Sequence, residues 1–322
     1  MSGSRQPGER LRVVFMGSPD FAVPSLRALA AEHEVLAVVT QPDRPRGRGR
    51  VLAAPAVKQV AEALGFPVLQ PRRVRAPESV AALAALQADL FVVAAFGQIL
   101  SAELLALPRL GCVNVHASLL PRYRGAAPIN WAVLRGEAQS GVTIMLMDQG
   151  IDTGAVLARE PIALRADETA GSLHDRLAPL GAELLRRTLE PWARGALSAQ
   201  PQDAALATAA PMLRKEDGCV DWRREAESVD CWVRGMDPWP AAHSTLAGQP
   251  LKLYRSQVAV APLKATAPGQ VLAVDPRGLL VACGAGAIWI RELQAAGGRR
   301  MAPTAYAAGH PLPVGAVLGL GG

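Results

Sequence analysis

Short runs of almost purely apolar residues recur along the first half of the chain, and helical segments separate them. The first run is LRVVFM (11–16), which ends at a Gly-Ser-Pro turn. Later runs of this kind are VLAVVT (35–40), LFVVAA (90–95), CVNVH (112–116), TIMLMD (143–148) and AVLARE (155–160). Strands that alternate with helices and are apolar on both faces are typical of parallel sheets. The sequence therefore predicts an α/β fold with a mostly parallel sheet.

The pattern changes after about residue 195. Small and polar residues fill 196–210, and we interpret this stretch as a linker. Gly and Pro separate the apolar runs that follow, LKLYRSQVAV (251–260), GQVLAV (269–274), GLLVACG (278–284) and AIWIREL (287–293). This spacing predicts a small antiparallel β-barrel in a second domain at 211–322, after a first domain at 1–195.

Composition and motifs argue against several classes of protein. The beginning of the chain has no apolar leader, and the longest apolar run, LFVVAAFGQIL, is too short to cross a bilayer. The four cysteines are dispersed without a CxxC pair, which argues against a zinc site or a disulfide framework. The first strand is not followed by GxGxxG, so a nicotinamide cofactor is not expected. We expect a monomeric cytoplasmic protein with reduced thiols and no metal.

Two polar residues, Asn114 and His116, interrupt the apolar strand CVNVH. Side chains two positions apart on a strand lie on the same face. The carboxyl end of a parallel strand is also the edge where open α/β sheets bind ligands. A histidine in an apolar strand is often only a core residue with satisfied hydrogen bonds, and a catalytic pair is the alternative.

A second polar cluster is DQGIDTG at 148–154. Gly150 and Gly154 bracket Asp152, which is expected of a loop that bends sharply on both sides of one functional side chain. An ordinary turn aspartate is the simpler interpretation, and Asp148 competes for any acidic role.

An amide, an imidazole and a carboxylate without a paired nucleophile suit direct acyl transfer between two bound substrates. Ser118 follows His116 by two residues and raises the alternative of a serine hydrolase. However, no GxSxG motif surrounds Ser118.

Two long motifs, VNVHASLLPRYRGAAP and GVTIMLMDQGIDTG, closely resemble the signature of the folate-dependent formyltransferases. Within this family, MGSPDFAVPSL, TQPDRPRGRGR and DPWPAAH resemble the members that formylate methionyl initiator tRNA for translation initiation. The resemblance covers nearly the whole chain and implies a Rossmann-like first domain and an OB-like, tRNA-contacting second domain. Asn130 and Trp131 depart from it, because many members have Gln and Arg there.

The resemblance also implies roles for individual residues. Asn114 would donate a hydrogen bond to the oxyanion, His116 would transfer a proton, and Asp152 would orient His116 and stabilise its charged form. The formyl donor would be 10-formyltetrahydrofolate, in a pocket lined by Phe96, Gly97, Ile99, Ser118, Leu119, Leu120, Pro121 and Asp148. The methionine side chain would lie at the end of the first strand, against Gly17, Ser18 and Phe21.

The segment QPDRPRGRGR at 41–50 carries arginine at every second position, namely Arg44, Arg46, Arg48 and Arg50. Gly and Pro oppose a stable helix there, so we expect a mobile and strongly positive arm. A solvated charged loop is the simpler interpretation. The resemblance implies that the arm contacts the acceptor-stem region of the tRNA, with Arg48 contributing most.

Three other functions stay open. A sister formyltransferase that acts on glycinamide ribonucleotide or on a nucleotide sugar would keep the same three polar residues. The hydrolase domain of 10-formyltetrahydrofolate dehydrogenase has a similar length but would be followed by a large further domain. A non-enzymatic RNA-binding protein would need only the basic surface and the barrel, and would leave the polar pair unexplained.

Overall fold

The computed structural model describes residues 10–46, 51–260 and 266–319. The chain divides into two compact units. The N-terminal unit comprises Met1–Gly125, Ser140–Ile162 and His174–Ala210. The C-terminal unit comprises Ala126–Gln139, Ala163–Leu173 and Pro211–Gly322. The two units are thus interleaved in sequence. The domains predicted from the sequence, 1–195 and 211–322, are contiguous instead, and these bounds stay a prediction.

A mostly parallel sheet forms the centre of the N-terminal unit. The strands of the first half of the chain are β1 (Arg12–Gly17), β2 (Glu34–Val39), β3 (Arg44–Arg46), β4 (Val51–Ala53), β5 (Val68–Leu69), β6 (Leu90–Ala94), β7 (Cys112–His116), β8 (Gln139–Leu146) and β9 (Val156–Ala163). Among the described residues, seven strands form one sheet in the order β5-β2-β1-β6-β7-β8-β9. The pairs β1–β2, β1–β6, β6–β7 and β2–β5 are parallel, and β7–β8 is antiparallel.

Helices lie between and after these strands in the sequence, and one of them, Pro128–Leu134, belongs to the C-terminal unit. They are α1 (Val23–Glu32), α2 (Ala56–Ala63), α3 (Pro77–Ala85), α4 (Ala102–Ala106), α5 (Pro128–Leu134) and α6 (Ala170–Ala193), with short 3₁₀ helices at Asp20–Ala22 and Ala204–Leu206. Strands that are apolar on both faces are typical of a parallel sheet that helices cover on both sides. One core cluster joins Met16 of β1, Phe91 of β6 and Cys112 of β7 to Leu83 of α3. The predicted α/β class is confirmed.

The C-terminal unit contains a purely antiparallel sheet. Its elements are a 3₁₀ helix (Glu216–Gly218), α7 (Ala226–Gly235), β10 (Ala242–Leu246), β11 (Gln249–Val258), β12 (Val271–Asp275), β13 (Gly278–Ala282), β14 (Ala287–Ala295) and α8 (Pro303–Ala307). In the described part of the chain, the five strands lie in the order β10-β11-β14-β13-β12. Trp222, Val229 of α7 and Ile290 of β14 pack in its core. The predicted antiparallel β-structure in the C-terminal part of the chain is confirmed.

The four cysteines differ in accessibility, and their thiols are expected to differ in reactivity. Burial raises the pKa of Cys112 and of Cys283 to about 12, so neither forms the reactive thiolate at neutral pH. Cys219 is exposed. We expect iodoacetamide to label Cys219 in the folded protein and to label Cys112 and Cys283 only after denaturation, as read by peptide mass spectrometry. Rapid labelling of Cys112 in the native protein would contradict this packing of β7.

Candidate active site

Asn114 and His116 both lie on β7 near its carboxyl end, as the strand pattern predicts. Asn114 is paired with Val93 of the parallel neighbour β6 and with Met145 of the antiparallel neighbour β8. The Asn114 side chain is partly exposed, and among the described residues its amide has no hydrogen-bond partner. An amide without a protein partner at a ligand-binding edge is available to donate to a substrate oxygen.

The imidazole of His116 is 6% exposed and contacts a protein oxygen on either side. Its Nε2 is 3.0 Å from the Tyr123 carbonyl oxygen, and its Nδ1 is 3.6 Å from Oδ2 of Asp152. A carbonyl oxygen only accepts hydrogen bonds, so Nε2 donates and carries the hydrogen of the neutral ring. The lone pair is therefore on Nδ1, which is the ring atom that can take up a proton.

The carboxylate beside His116 belongs to Asp152 and not to Asp148. Oδ2 of Asp152 also accepts a hydrogen bond of 2.8 Å from the Gly125 N–H. Asp148 instead stabilises its own turn, because its Oδ1 accepts from the Gly150 N–H at 3.0 Å and the Thr153 hydroxyl at 2.6 Å. The sequence left this choice open, and the structure brings only Asp152 against the imidazole.

The loop that carries Asp152 requires glycine on one side. A Cβ at position 154 would overlap the Leu146 carbonyl group, so Gly154 allows the loop to return against β8. Asp152 itself has a φ of +53°, in the left-handed region where a non-glycine residue is uncommon. The backbone is thus bent sharply at the residue that points its carboxylate at His116.

The polar groups of the turn after β7 form hydrogen bonds with other groups of the protein. Ser118 is 0% exposed, its hydroxyl donates to the Arg122 carbonyl at 2.7 Å, and its carbonyl accepts from the Thr143 hydroxyl at 2.6 Å. The Leu120 N–H donates to Thr143 Oγ1 at 3.1 Å, and the Leu120 carbonyl accepts from Arg159 Nε at 2.7 Å. Ser118 is therefore not a free nucleophile. Ser118 and Leu120 shape the turn, whereas Leu119 and Pro121 are partly exposed beside it.

The predicted folate residues after β6 differ in accessibility. Phe96 is buried, and its carbonyl accepts from Gln41 Nε2 at 3.1 Å and from the Ser18 hydroxyl at 3.3 Å. Gly97 has a φ of +78° and is exposed, and the Ile99 side chain is 73% exposed. On the Asp152 loop, Ile151 is likewise 70% exposed. Both loops thus present a large apolar side chain to solvent.

The other predicted contact residues, Gly17, Ser18 and Phe21, lie at the end of β1 or just after it. The Ser18 hydroxyl accepts from the Gln41 N–H at 3.1 Å in addition to its bond to Phe96. Gly17 is buried, and a Cβ there would lie 2.8 Å from Cβ of Ala22. Phe21 is also buried, with its ring centroid 5.6 Å from that of His174. Gly17 and Phe21 are thus packed within the unit, and the Ser18 hydroxyl is engaged.

The arginine arm (41–50) contains the short strand β3, and the short strand β4 follows it. β3 pairs with β4 in antiparallel register, with Arg44 opposite Ala53 and Arg46 opposite Val51. Arg44 Nη2 donates to Gln41 Oε1 at 3.1 Å. Arg48 and Arg50 lie outside the described residues. The sequence predicted a mobile arm without a stable helix, and it did not predict the strand that the described residues Arg44–Arg46 form, because Pro and Gly at alternate positions hide a strand pattern.

Asp43, at the base of the arm, is held by two side chains. Gln70 Nε2 donates to Oδ1 at 2.7 Å, and Lys58 Nζ lies 2.8 Å from Oδ2. The Gln70 hydrogen bond and then Lys58 lower the pKa of Asp43 from its usual value of 3.8. Because the folded state favours the carboxylate, its contribution to stability is complete above pH 3.8 and is lost as the pH falls through the lowered pKa.

We therefore expect Asp43→Asn to lower the Tm at pH 7 and the difference from wild type to narrow below pH 3.8. Thermal unfolding followed by circular dichroism between pH 7 and 3 measures this. The exposed Asp167 provides the control, since Asp167→Asn should leave the Tm unchanged at every pH. A Tm difference for Asp43→Asn that stays constant down to pH 3 would contradict the assignment.

Sequence reasoning missed three residues that hold the site. Tyr123 contributes its carbonyl oxygen to His116, and its own N–H donates to the Thr208 hydroxyl at 2.9 Å. Gln202 donates to the carbonyl oxygens on either side of Thr153. Both Gln202 and Thr208 come from the segment 196–210 that we interpreted as a linker. Backbone contacts of this kind leave no residue pattern that could have identified them.

The described residues contain no group of three or more His, Cys, Asp or Glu side chains that could hold a metal ion. None of the helices in the same residues is long and apolar enough to cross a membrane.

Comparison with known proteins shows similarity along almost the whole chain. Residues 11–189 match the family model described as formyl transferase, and residues 212–311 match the model described as formyl transferase, C-terminal domain. A methionyl-tRNA formyltransferase from Geobacter metallireducens is 51% identical over 310 residues, which are 96% of this chain and 99% of that protein. The methionyl-tRNA formyltransferase of Geobacter sulfurreducens is 52% identical over 97% of this chain and 98% of its own length.

A solved structure shows the same fold at low sequence identity. HypX from Aquifex aeolicus in complex with tetrahydrofolic acid superimposes with a TM-score of 0.63 at 20% identity. The match covers 93% of this chain but only 47% of HypX, so this chain spans about half the length of that protein.

Proposed function

The chain belongs to the methionyl-tRNA formyltransferase family, and we propose that Asn114, His116 and Asp152 carry out its formyl transfer to the α-amine of methionyl initiator tRNA. The observation that supports this assignment is the position of His116, between the Tyr123 carbonyl and the Asp152 carboxylate. On the same strand, two residues away, is the Asn114 amide, which has no hydrogen-bond partner among the described residues. The cosubstrate 10-formyltetrahydrofolate supplies the formyl group when it is bound.

Asn114 acts as the oxyanion donor. When the methionine amine adds to the formyl carbon, the formyl oxygen becomes negatively charged and the Asn114 amide N–H donates to it. The donor is fixed by the sheet before the charge develops, which is the condition under which one such group lowers the barrier by about 3 to 4 kcal/mol.

His116 takes the proton that the attacking nitrogen loses, and it returns this proton to N10 of the folate when the bond between the formyl carbon and N10 breaks, so that tetrahydrofolate leaves and the neutral imidazole is restored. A free α-amine has a pKa of about 8 and an adjacent ester lowers it, so much of the substrate amine is already neutral at pH 7. His116 therefore acts mainly on the nitrogen after attack, when that nitrogen has become much more acidic, and it does so through Nδ1. In the resulting imidazolium, Nε2–H faces the Tyr123 carbonyl oxygen and Nδ1–H faces Oδ2 of Asp152, and both oxygens favour the charged ring.

The residues present fit a folate cosubstrate. The exposed side chains of Ile99 and Ile151 offer apolar surface to a flat ring, as binding pockets commonly do. Phe96, Gly97, Leu119, Pro121 and Asp148 would complete the pocket, with Ser118 and Leu120 supporting it from within. At the end of β1, Gly17, Ser18 and Phe21 would limit the space for the methionine side chain.

The arm binds the phosphate backbone of the tRNA through Arg44, Arg46, Arg48 and Arg50. We expect Arg48→Ala to reduce kcat/KM for charged tRNA without changing the rate at saturating tRNA, and to reduce the slope of log affinity against log salt by about 1. The exposed Arg27 on α1 provides a matched control, since Arg27→Ala should change neither quantity. An unchanged kcat/KM in Arg48→Ala would remove the arm from the proposal.

The acceptor is tested by offering the purified protein 10-formyltetrahydrofolate with charged initiator methionyl-tRNA, free methionine, glycinamide ribonucleotide, an amino-sugar nucleotide or no acceptor. We expect formyl transfer to the charged tRNA alone. Transfer to a small acceptor, or release of formate without one, would retain the chemistry of the site and overturn the assigned partner.

We also propose that the enzyme acts in the cytoplasm as a monomer, for which light scattering should give a mass near 33.8 kDa.

A further inference from the structure

The side-chain amide of Gln202 reaches the loop that carries Asp152 from a distant part of the sequence. Its Nε2 donates to the carbonyl oxygens of Asp152 and Gly154, both at 2.8 Å. These two acceptors lie on either side of Thr153, so one NH₂ group holds the loop at two points. Both hydrogens of the amide are used in this way.

The oxygen of the same amide is held from the other side. Arg124 donates to Gln202 Oε1 through Nε at 3.1 Å and through Nη2 at 2.8 Å. The amide therefore faces two acceptors on its nitrogen side and two donor atoms on its oxygen side, which fixes its orientation. Arg124 is also the residue before Gly125, whose N–H donates to the Asp152 carboxylate.

Gln202 thus connects two segments that converge on one carboxylate. It binds the backbone of Asp152, where the φ of +53° is uncommon for a non-glycine residue and needs support from its surroundings. Through Arg124 it also restrains the segment whose Gly125 N–H orients Asp152 Oδ2. Without these bonds, the loop would relax and the carboxylate would move relative to His116.

We propose that Gln202 is a positioning residue for formyl transfer, which acts by holding the Asp152 carboxylate against Nδ1 of His116. The inference rests on the proposed role of Asp152. The segment 196–210 is then part of the catalytic machinery as well as a connection, because it reaches the site with Gln202 and Thr208 together.

Two variants separate the functions of the amide. Gln202→Glu keeps the length and the acceptor for Arg124 but loses both donors to the Asp152 loop, and Gln202→Met loses donors and acceptor. We expect either variant to slow single-turnover transfer roughly 10- to 100-fold at saturating substrates, since small misplacements of catalytic groups have effects of this size. The KM for tRNA should stay within about twofold, since Gln202 is not among the residues proposed to contact the tRNA.

The neighbouring Asp203 provides the control. Its side chain accepts from the local Ala205 N–H, and Asp203→Ala should leave the rate unchanged. If Gln202→Glu proves unstable in thermal unfolding, Gln202→Met tests the same loss of donors without an added charge. Folded Gln202 variants with the wild-type rate would overturn the inference.

A double-mutant cycle distinguishes positioning from a general structural role. If Gln202 acts through Asp152, then Gln202→Met should cause no further loss of rate in an Asp152→Ala background. Additive losses in the two backgrounds would overturn the inference while leaving the role of Asp152 in place. A wild-type rate in Asp152→Ala itself would instead overturn the proposed function on which the inference rests.

Discussion

His116→Ala is expected to lower the single-turnover rate of formyl transfer by about 10² to 10⁴, the range that a positioned general acid or base contributes. The imidazole is nearly buried and is held on both sides, by the Tyr123 carbonyl oxygen at Nε2 and by the Asp152 carboxylate at Nδ1. Rapid quench of a reaction with labelled formyl donor and charged tRNA, both saturating, measures the chemical step.

The control for this prediction is another histidine outside the site. His310 is exposed and stacks on Tyr306 in the C-terminal unit, with ring centroids 4.5 Å apart. His310→Ala should retain the wild-type rate. A folded His116→Ala variant that reacts within a factor of a few of wild type would show that the ring is a core residue, which is the alternative that its apolar strand allows.

Asn114→Ala is expected to slow transfer by about 10² to 10³, because the oxyanion loses a fixed amide donor. The hydrogen bond strengthens only as charge develops on the formyl oxygen, so the loss should appear in the rate at saturation and leave the KM values nearly unchanged. Asn114→Asp should be at least as slow, since a carboxylate of the same size cannot donate and repels the developing charge.

Gln294→Ala is the matched amide truncation. Gln294 lies on β14, where it accepts from the Tyr254 hydroxyl at 3.0 Å and donates to the Gly298 carbonyl at 2.9 Å. This variant should keep the rate at saturation. If Asn114→Ala instead raised a KM at an unchanged rate, Asn114 would bind a ground-state substrate group and the oxyanion would need another donor.

The fold and the polar pair could be predicted from the sequence because both depend on local patterns. Fully apolar runs between helices indicated the parallel strands, and β1, β2, β6 and β7 begin and end within one or two residues of the predicted positions. Asn114 and His116 were conspicuous because their neighbours Val113 and Val115 are apolar and buried. A polar residue on such a strand needs a reason, and the reason here is the site.

The rest of the site depends on contacts that the sequence pattern does not contain. Residue type does not distinguish Asp148 from Asp152 in DQGIDTG, and it is the geometry of the loop that places Asp152 beside the imidazole. Gln202 lies in a stretch of small and polar residues because its partners are backbone carbonyls, which select no complementary side chain. In the proposed mechanism, the ring nitrogen that takes the proton also depends on a carbonyl, that of Tyr123.

The most direct test of the account is the pH dependence of single-turnover formyl transfer to charged tRNA, measured for wild type and His116→Ala across the range where an imidazole and the substrate amine both titrate. We expect the wild-type profile to contain a dependence on His116 in addition to the ionisation of the amine, and His116→Ala to retain only the amine dependence at a greatly reduced rate. Profiles of the same shape and similar rate in both proteins would contradict a proton-transfer role for His116.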